Sequence, residues 1–349
     1  MLRIIQLSCC FYFKCICFTA LFLSSKVYSS EHFLNENLEP LKAYEEGRLL
    51  RAQYKNRLAR EYLKFAVDQG EPRASFLYAI ELKSHQKTIR TAGKAKQYID
   101  LALKNGDLSA LRYALFKHNE LSAQQYEALL NQYQSRLEKL EEDAIPSANF
   151  GYFLLYQKQD KRLAAEYLEK AVEASDPVAL MVMADRVLNG EGFYIFSFSR
   201  VNGALELYQN AANTGYLPAV KKLVDELEKF KKYEQAFEWL LKAAKQGELT
   251  SIATVARVYS GNSETYKAIG LNLVAAKAYY DLYFDYAGID RFDSLYQVML
   301  TELETIENSL DDEQKATSEE MVESLKSGIE KPVSADFYWF DDGYSYALN

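Results

Sequence analysis

Cysteine is confined to one end of this 349-residue sequence. Cys9, Cys10, Cys15 and Cys17 are all it has. The remainder has no thiol, which excludes a disulfide framework and any cysteine-bound metal there. Histidine is nearly as scarce. His32, His85 and His118 stand far apart, and none falls in the H-E-x-x-H spacing of a metal site. Each reads as a loop or surface residue. Gly190-Glu191-Gly192 lacks the third glycine and the preceding strand of a dinucleotide fingerprint. There is no P-loop and no nucleophile elbow. Acid clusters such as Glu141-Glu142-Asp143 and Glu319-Glu320 read as solvated helix faces. The expectation is a protein with no catalytic residues, no cofactor and no metal.

Positive charge is also in deficit, with 41 Lys and Arg against 49 Asp and Glu and a net charge of −8. Phosphate-backbone binding needs clustered cations, so nucleic acid is not an expected partner. The pairs Lys221-Lys222 and Lys231-Lys232 read as solvated helix faces. Long apolar runs are missing except near the N-terminus. There Arg3 and Lys14 precede an apolar run over residues 15–25, the layout of an export signal. Val27 and Ser29 suit cleavage after Ser29. Losing residues 1–29 removes three cations and no acid, taking −8 to −11. An uncleaved N-terminal anchor is the alternative, and membrane contact is expected only through that segment.

Glycine (15) and proline (6) are few, and they recur at fixed places. Ala59, Tyr62, Leu63 and Ala66 share one helical face, followed by Gly70 and Ala74. Thirty-six residues on, Ala95, Tyr98, Ile99, Ala102, Gly106 and Ala110 keep every offset. The pattern returns as Ala164, Tyr167, Leu168, Ala171, Ser175 and Ala179. It returns again as Ala204, Leu207, Tyr208, Ala211, Gly215 and Ala219, and as Ala236, Trp239, Leu240, Ala243, Gly247 and Ser251. A period of this length marks a repeat array. The small residues predict close helix contacts, the glycine a left-handed helix end, and the next alanine the contact of a new helix.

The predicted organisation is a signal over 1–29, N-terminal helical repeats over 30–143, further repeats over 144–289, capping helices over 290–330 and an aromatic tail over 331–349. Helices are expected from Pro40, across 72–84 and 95–104 with a loop over 86–93, and across 108–116. Leu121-Ser122-Ala123 opens a longer, charged helix to about Glu142, whose stretch 124–142 lacks the landmarks and reads as a divergent repeat or a spacer. Ser147 is expected to cap 148–156. Helices follow over 161–174, 178–188, 217–230, 233–246, 249–259 and 266–286, with terminal ones over 290–306 and 311–328.

Aromatics are the excess: 27 Tyr and 19 Phe. Tyr62, Tyr98, Tyr167 and Tyr208 fill repeat landmarks. Tyr78, Tyr113, Tyr152, Tyr156 and Tyr259 fall on first helices of pairs, and tyrosine suits recognition because it offers area and a hydroxyl at low entropy cost. Phe193, Tyr194, Phe196 and Phe198 crowd one loop, which either tucks under a neighbouring repeat or recognises a ligand. Phe337, Tyr338, Trp339 and Phe340 lie in the tail, which either caps the open end of the array or docks a partner.

The A-x-x-[YLW]-[LIY]-x-x-A helix, the glycine four residues later and the alanine four beyond it resemble the Sel-one-like repeat family, a branch of the tetratricopeptide (TPR) superfamily. The likeness covers about 59–110 and 164–251. It implies an all-α fold, a right-handed α-solenoid of stacked helix-turn-helix repeats whose first helices line the concave face, acting as an adaptor in protein assemblies. Exported relatives of Gram-negative bacteria serve envelope assembly, polysaccharide secretion or host interaction. The cysteine pairs of one exported branch are missing here. The expected function is therefore a non-enzymatic, exported, periplasmic scaffold for proteins of an envelope or secretion complex. The alternative is a secreted or surface-exposed factor binding host or glycan ligands.

Overall fold

A computed structural model describes residues 37–85, 89–117, 121–192, 196–339 and 343–347. The expected signal segment lies outside the described residues. Residues 37–349 form one compact unit. Among the described residues, every regular element is a helix.

Fourteen helices pair in order. They are α1 (Pro40–Ala52) with α2 (Asn56–Asp68), α3 (Ala74–His85) with α4 (Ile89–Lys104), α5 (Leu108–Lys117) with α6 (Ala123–Glu142), and α7 (Ser147–Tyr156) with α8 (Lys161–Glu173). Then come α9 (Pro177–Leu188) with α10 (Ser197–Asn213), α11 (Leu217–Lys229) with α12 (Tyr233–Lys245), and α13 (Leu249–Tyr259) with α14 (Leu273–Tyr286). Two further helices, α15 (Asp293–Glu307) and α16 (Asp312–Ser327), lie against α14. The short α17 (Asp336–Trp339) and α18 (Tyr344–Ala347) belong to the tail. The fold is an all-α solenoid of stacked helix pairs.

The repeat landmarks explain the stacking. Ala59, Ala66, Ala102, Ala171, Ala211 and Ala236 have no solvent exposure, and Ala95, Ala164 and Ala243 almost none. A helix can approach another closely only where its side chains are this small. The second helices that carry the landmarks end with a left-handed residue. Gly70 takes φ +87°, Gly106 +68°, Gly215 +82° and Gly247 +87°. At the third clear repeat Ser175 holds this left-handed conformation, with φ 58°. The N–H of the next residue donates back to the carbonyl of the last landmark alanine: Glu71 to Ala66, Asp107 to Ala102, Asp176 to Ala171 and Glu248 to Ala243. This satisfies carbonyls that a helix end otherwise leaves without partners. It also turns the chain directly into the next first helix, whose Ala74, Ala110, Ala179 or Ala219 is buried.

Some boundaries differ from expectation. Gly93, expected in a loop, lies within α4, which begins at Ile89. Ser147 is the first residue of α7 rather than its cap; Pro146 precedes it without a side-chain cap. The helix expected from 266 begins at Leu273, because Asn272 caps it by accepting from the Ala275 amide. The charged α6 is the second helix of the third pair, not a spacer. Ser122 and Gln125 form its capping box, and Tyr133 and Leu137 are fully buried against α5 and α7. Part of the expected aromatic loop is helical, since α10 begins at Ser197 and includes Phe198.

The first pair also meets the last. After α1, Tyr54 (φ 62°) packs edge-on to Phe292 at 5.0 Å, and its hydroxyl lies 3.0 Å from Thr250 Oγ1. The Gly288 amide donates to the Gln53 carbonyl at 2.7 Å, and the Arg57 amide to Asp290 Oδ2 at 2.7 Å. A Cβ at Gly288 would stand 2.8 Å from the Tyr54 carbonyl oxygen, so this approach requires glycine.

Candidate recognition face

The C-terminal tail does not cover the end of the array, where α15 and α16 pack on α14. It runs back across the first helices of the pairs. Lys331 and Pro332 follow α16, and Val333 then joins the turn before α13. The Val333 amide donates to the Gly247 carbonyl at 3.0 Å, and the Leu249 amide to the Val333 carbonyl at 3.1 Å. The Ser334 amide donates to the Ala52 carbonyl at 2.9 Å, so the same stretch also binds the end of α1. Val333, Ser334 and Ala335 are each 2 % exposed.

On either side of this stretch, side chains of the array hold the tail by its backbone. Gln53 Nε2 donates to the Pro332 carbonyl at 3.0 Å. Arg51 Nη1 donates to the Asp336 carbonyl at 3.1 Å. Arg48 Nε and Nη2 both donate to the Phe337 carbonyl, at 3.1 and 2.8 Å. Gln157, just after α7, donates to the Tyr346 carbonyl at 3.1 Å. Arg51 is itself oriented by burial. Its Nε lies 2.6 Å from Glu81 Oε1, and Asn56 Nδ2 donates to both Glu81 oxygens at 3.2 and 3.1 Å. A buried carboxylate is retained when it is paired and hydrogen-bonded in this way.

Tail side chains find chemistry of their own kind. The Asp336 carboxylate pairs with the Arg291 guanidinium. The Phe337 ring lies under Arg48, 4.2 Å from centroid to guanidinium carbon. Tyr338 meets Tyr216 edge-on at 5.6 Å. The Tyr344 hydroxyl donates to Asp185 of α9. Asp185 also accepts from the Tyr208 hydroxyl at 2.5 Å and lies 3.4 Å from Lys222 Nζ. Burial, and then Asp185 itself, push the Tyr208 hydroxyl well above the ordinary tyrosine range, so it donates at any physiological pH. Tyr346 packs near Phe116 at 6.3 Å.

The tyrosines singled out from sequence occupy other positions. Tyr78 is buried edge-on against Tyr98 at 4.9 Å. Tyr113 is buried 5.7 Å from Phe76, and its hydroxyl accepts from Lys83. Tyr152 is buried and stacks on Tyr167 at 4.8 Å, its hydroxyl donating to Glu141 at 3.1 Å. Tyr156 stacks on the same Tyr167 at 5.7 Å. Tyr259 is half-buried, edge-on to Phe237 at 5.3 Å. These rings join neighbouring helices. Phe196 and Phe198 are exposed by 68 % and 71 % at the start of α10. Phe193, Tyr194 and Phe340 lie outside the described residues, as does the side chain of Trp339. Phe337 and Tyr338 do lie on the face just described. Arg48, Arg51, Gln53, Gln157, Asp185 and Arg291 were not legible as a group. They are spread over more than two hundred residues and carry no shared spacing.

Among the described residues, no group of three or more His, Cys, Asp or Glu is placed to hold a metal, and no helix is long and apolar enough to cross a membrane. No protein-family model matches the chain, and neither does any curated protein. Solved structures to which it is similar include a protective antigen of uropathogenic Escherichia coli displaying an SLR fold, at 16% identity and TM-score 0.38 over 83% of this chain and 61% of that one. This chain therefore spans about three fifths of that antigen. A Sel1 repeat protein of Oxalobacter formigenes is similar at 19% identity and TM-score 0.36, over 59% of this chain and 85% of that one. A Pseudomonas aeruginosa protein, PA5086, is similar at 17% identity and TM-score 0.39, over 62% and 82%.

Proposed function

We propose that this chain is a non-catalytic repeat scaffold that binds other proteins through the face lined by its first helices. The supporting observation is the row of side-chain donors, Arg48, Arg51, Gln53 and Gln157, that hold a returning segment by its carbonyls, one in the irregular stretch at Pro332 and three in the short helical turns at Asp336, Phe337 and Tyr346. Backbone capture with pockets for selected side chains is how proteins bind peptide segments of other proteins. The finer reading is an exported adaptor of an envelope or secretion complex. It is supported by the charged, then apolar layout of residues 1–29 and by the acidic, cysteine-free remainder. A secreted or surface-exposed factor for host or glycan ligands is the second reading, favoured by the two exposed phenylalanines at the start of α10.

Cross-linking of the tagged protein in its own cells tests this, with mass spectrometry of the captured material and of the bait's N-terminus. Envelope proteins attached to a chain beginning at Ser30 are expected. An intact Met1 would replace the exported adaptor with a membrane-tethered one. A chain found in culture supernatant without envelope proteins would favour the second reading. Hydrolysis of a polysaccharide by the pure protein would overturn the non-catalytic assignment.

A further inference from the structure

We propose that the tail is an internal ligand. Residues 331–339 and 343–347 occupy the recognition face in cis, and the same face takes in trans a partner peptide of the same chemistry and shape: two or three small residues, then a helical turn that opens with an aspartate and two aromatics. This rests on the scaffold reading above and adds to it the kind of segment bound and a built-in competitor.

Three observations carry it. First, the tail is held as a peptide is held. Four of its carbonyls accept from array side chains, and one residue pairs backbone to backbone in a parallel bridge with the turn before α13. Second, it crosses α1, α5, α9 and α11 without joining the succession of pairs, which α15 and α16 already close. A terminal repeat would stack on its neighbour instead. Third, the contacts are selective. Val333, Ser334 and Ala335 are each 2 % exposed, Val333 packing with Ala52 and Leu217, so side chains of this size fit without displacing their neighbours. Asp336 meets Arg291, and Phe337 meets Arg48. In a chain of net charge −8, arginines gathered around this segment favour an acidic ligand.

A tethered ligand competes at the high effective concentration its linker sets, in the millimolar range for a short one. The resting chain is therefore closed to a free peptide, and a partner gains access by outcompeting the tail or by acting after its release.

The test uses the full chain with a specific protease site inserted between Gly328 and Ile329, cleaved after folding. The probe is a fluorescein-labelled synthetic peptide with the sequence of residues 331–347, read by anisotropy, with a scrambled peptide beside it. The cleaved chain is expected to exchange its tail for the probe and to bind it at least tenfold more tightly than the uncleaved chain does. Arg48→Ala and Arg291→Ala are each expected to weaken that binding tenfold or more with the helical circular dichroism intact. Equal binding by cleaved and uncleaved chains would overturn the proposal. So would a cleaved tail that never exchanges under excess probe, or loss of helicity when the tail leaves. If proteins cross-linked to the scaffold in cells are not displaced by the peptide, this inference falls while the scaffold reading stands. If the probe exchanges but no protein is captured in cells, the scaffold reading falls, and with it the partner in trans, leaving only the tail bound in cis.

Discussion

Two glycines with the same backbone conformation offer a direct measure of how the tail packs. Gly70 and Gly247 both end a second helix with φ +87°. A Cβ at Gly70 would meet no heavy atom within 4 Å. A Cβ at Gly247 would stand 2.6 Å from Ile329 Cγ2, 3.1 Å from Pro332 Cα and 3.2 Å from the Lys331 oxygen. Gly70→Ala should therefore cost only the left-handed conformation of a side-chain-bearing residue, roughly 1–2 kcal/mol. Gly247→Ala should cost the same plus overpacking against the tail, roughly a further 1–3 kcal/mol. Urea unfolding of both variants measures the difference. In a chain ending at Gly328 the excess should vanish, and the cycle of four chains isolates the tail contribution. Equal destabilisation of the two variants in the full chain would refute the packing of residues 329–332 on the α12–α13 turn.

The remaining predictions concern the array. Ala102→Leu, at a position with no exposure, should destabilise by roughly 1–3 kcal/mol through overpacking; an unchanged melting curve would count against the repeat stacking. Glu81→Ala should cost about 3–5 kcal/mol, because it leaves the buried Arg51 without its carboxylate; a cost below 1 kcal/mol would mean that water reaches the pair. Burial raises the Asp176 carboxyl, outweighing the amides of Ala179 and Val178 that lower it. The folded state then holds that proton more tightly than the unfolded chain. Asp176 accordingly lowers stability as pH rises through its folded value, and is without effect below the ordinary carboxylate range. Asp176→Asn keeps an oxygen for the Ala179 amide and should be at least as stable as the parent at pH 7, with the gap closing on acidification. Thermal melts from pH 3 to pH 7 check this, and a gap that widens toward pH 3 would contradict it.

The helix pairs were legible because their determinants are local. Ala66, Gly70 and Ala74 encode a close contact, a left-handed stop and the next contact within nine residues, and Ser175 shows that the stop tolerates substitution for glycine. The landmark-free α6 was harder to place, since its burial depends on Tyr133 and Leu137 meeting helices on either side. Curvature was not legible. The approach of Gly288 to Gln53 and Tyr54 sums small rotations over seven pairs, and no single residue states it. The face that holds the tail was hidden for the same reason. Arg48, Gln157 and Arg291 are linked only through the returning tail, at Phe337, Tyr346 and Asp336. The tyrosines on first helices are of a type that suits recognition, yet Tyr78, Tyr113 and Tyr152 use their area for helix packing.

The claim that the first-helix face is where this protein meets its partners is tested most directly by placing a photo-reactive residue at one of two positions in the full-length chain in its native cells. One is Tyr216, which meets the tail; the other is Glu166, exposed on the second helix α8. The account predicts adducts to other proteins from position 216, reduced by the free tail peptide, and only background from position 166. Adducts from position 166 with none from position 216 would contradict it.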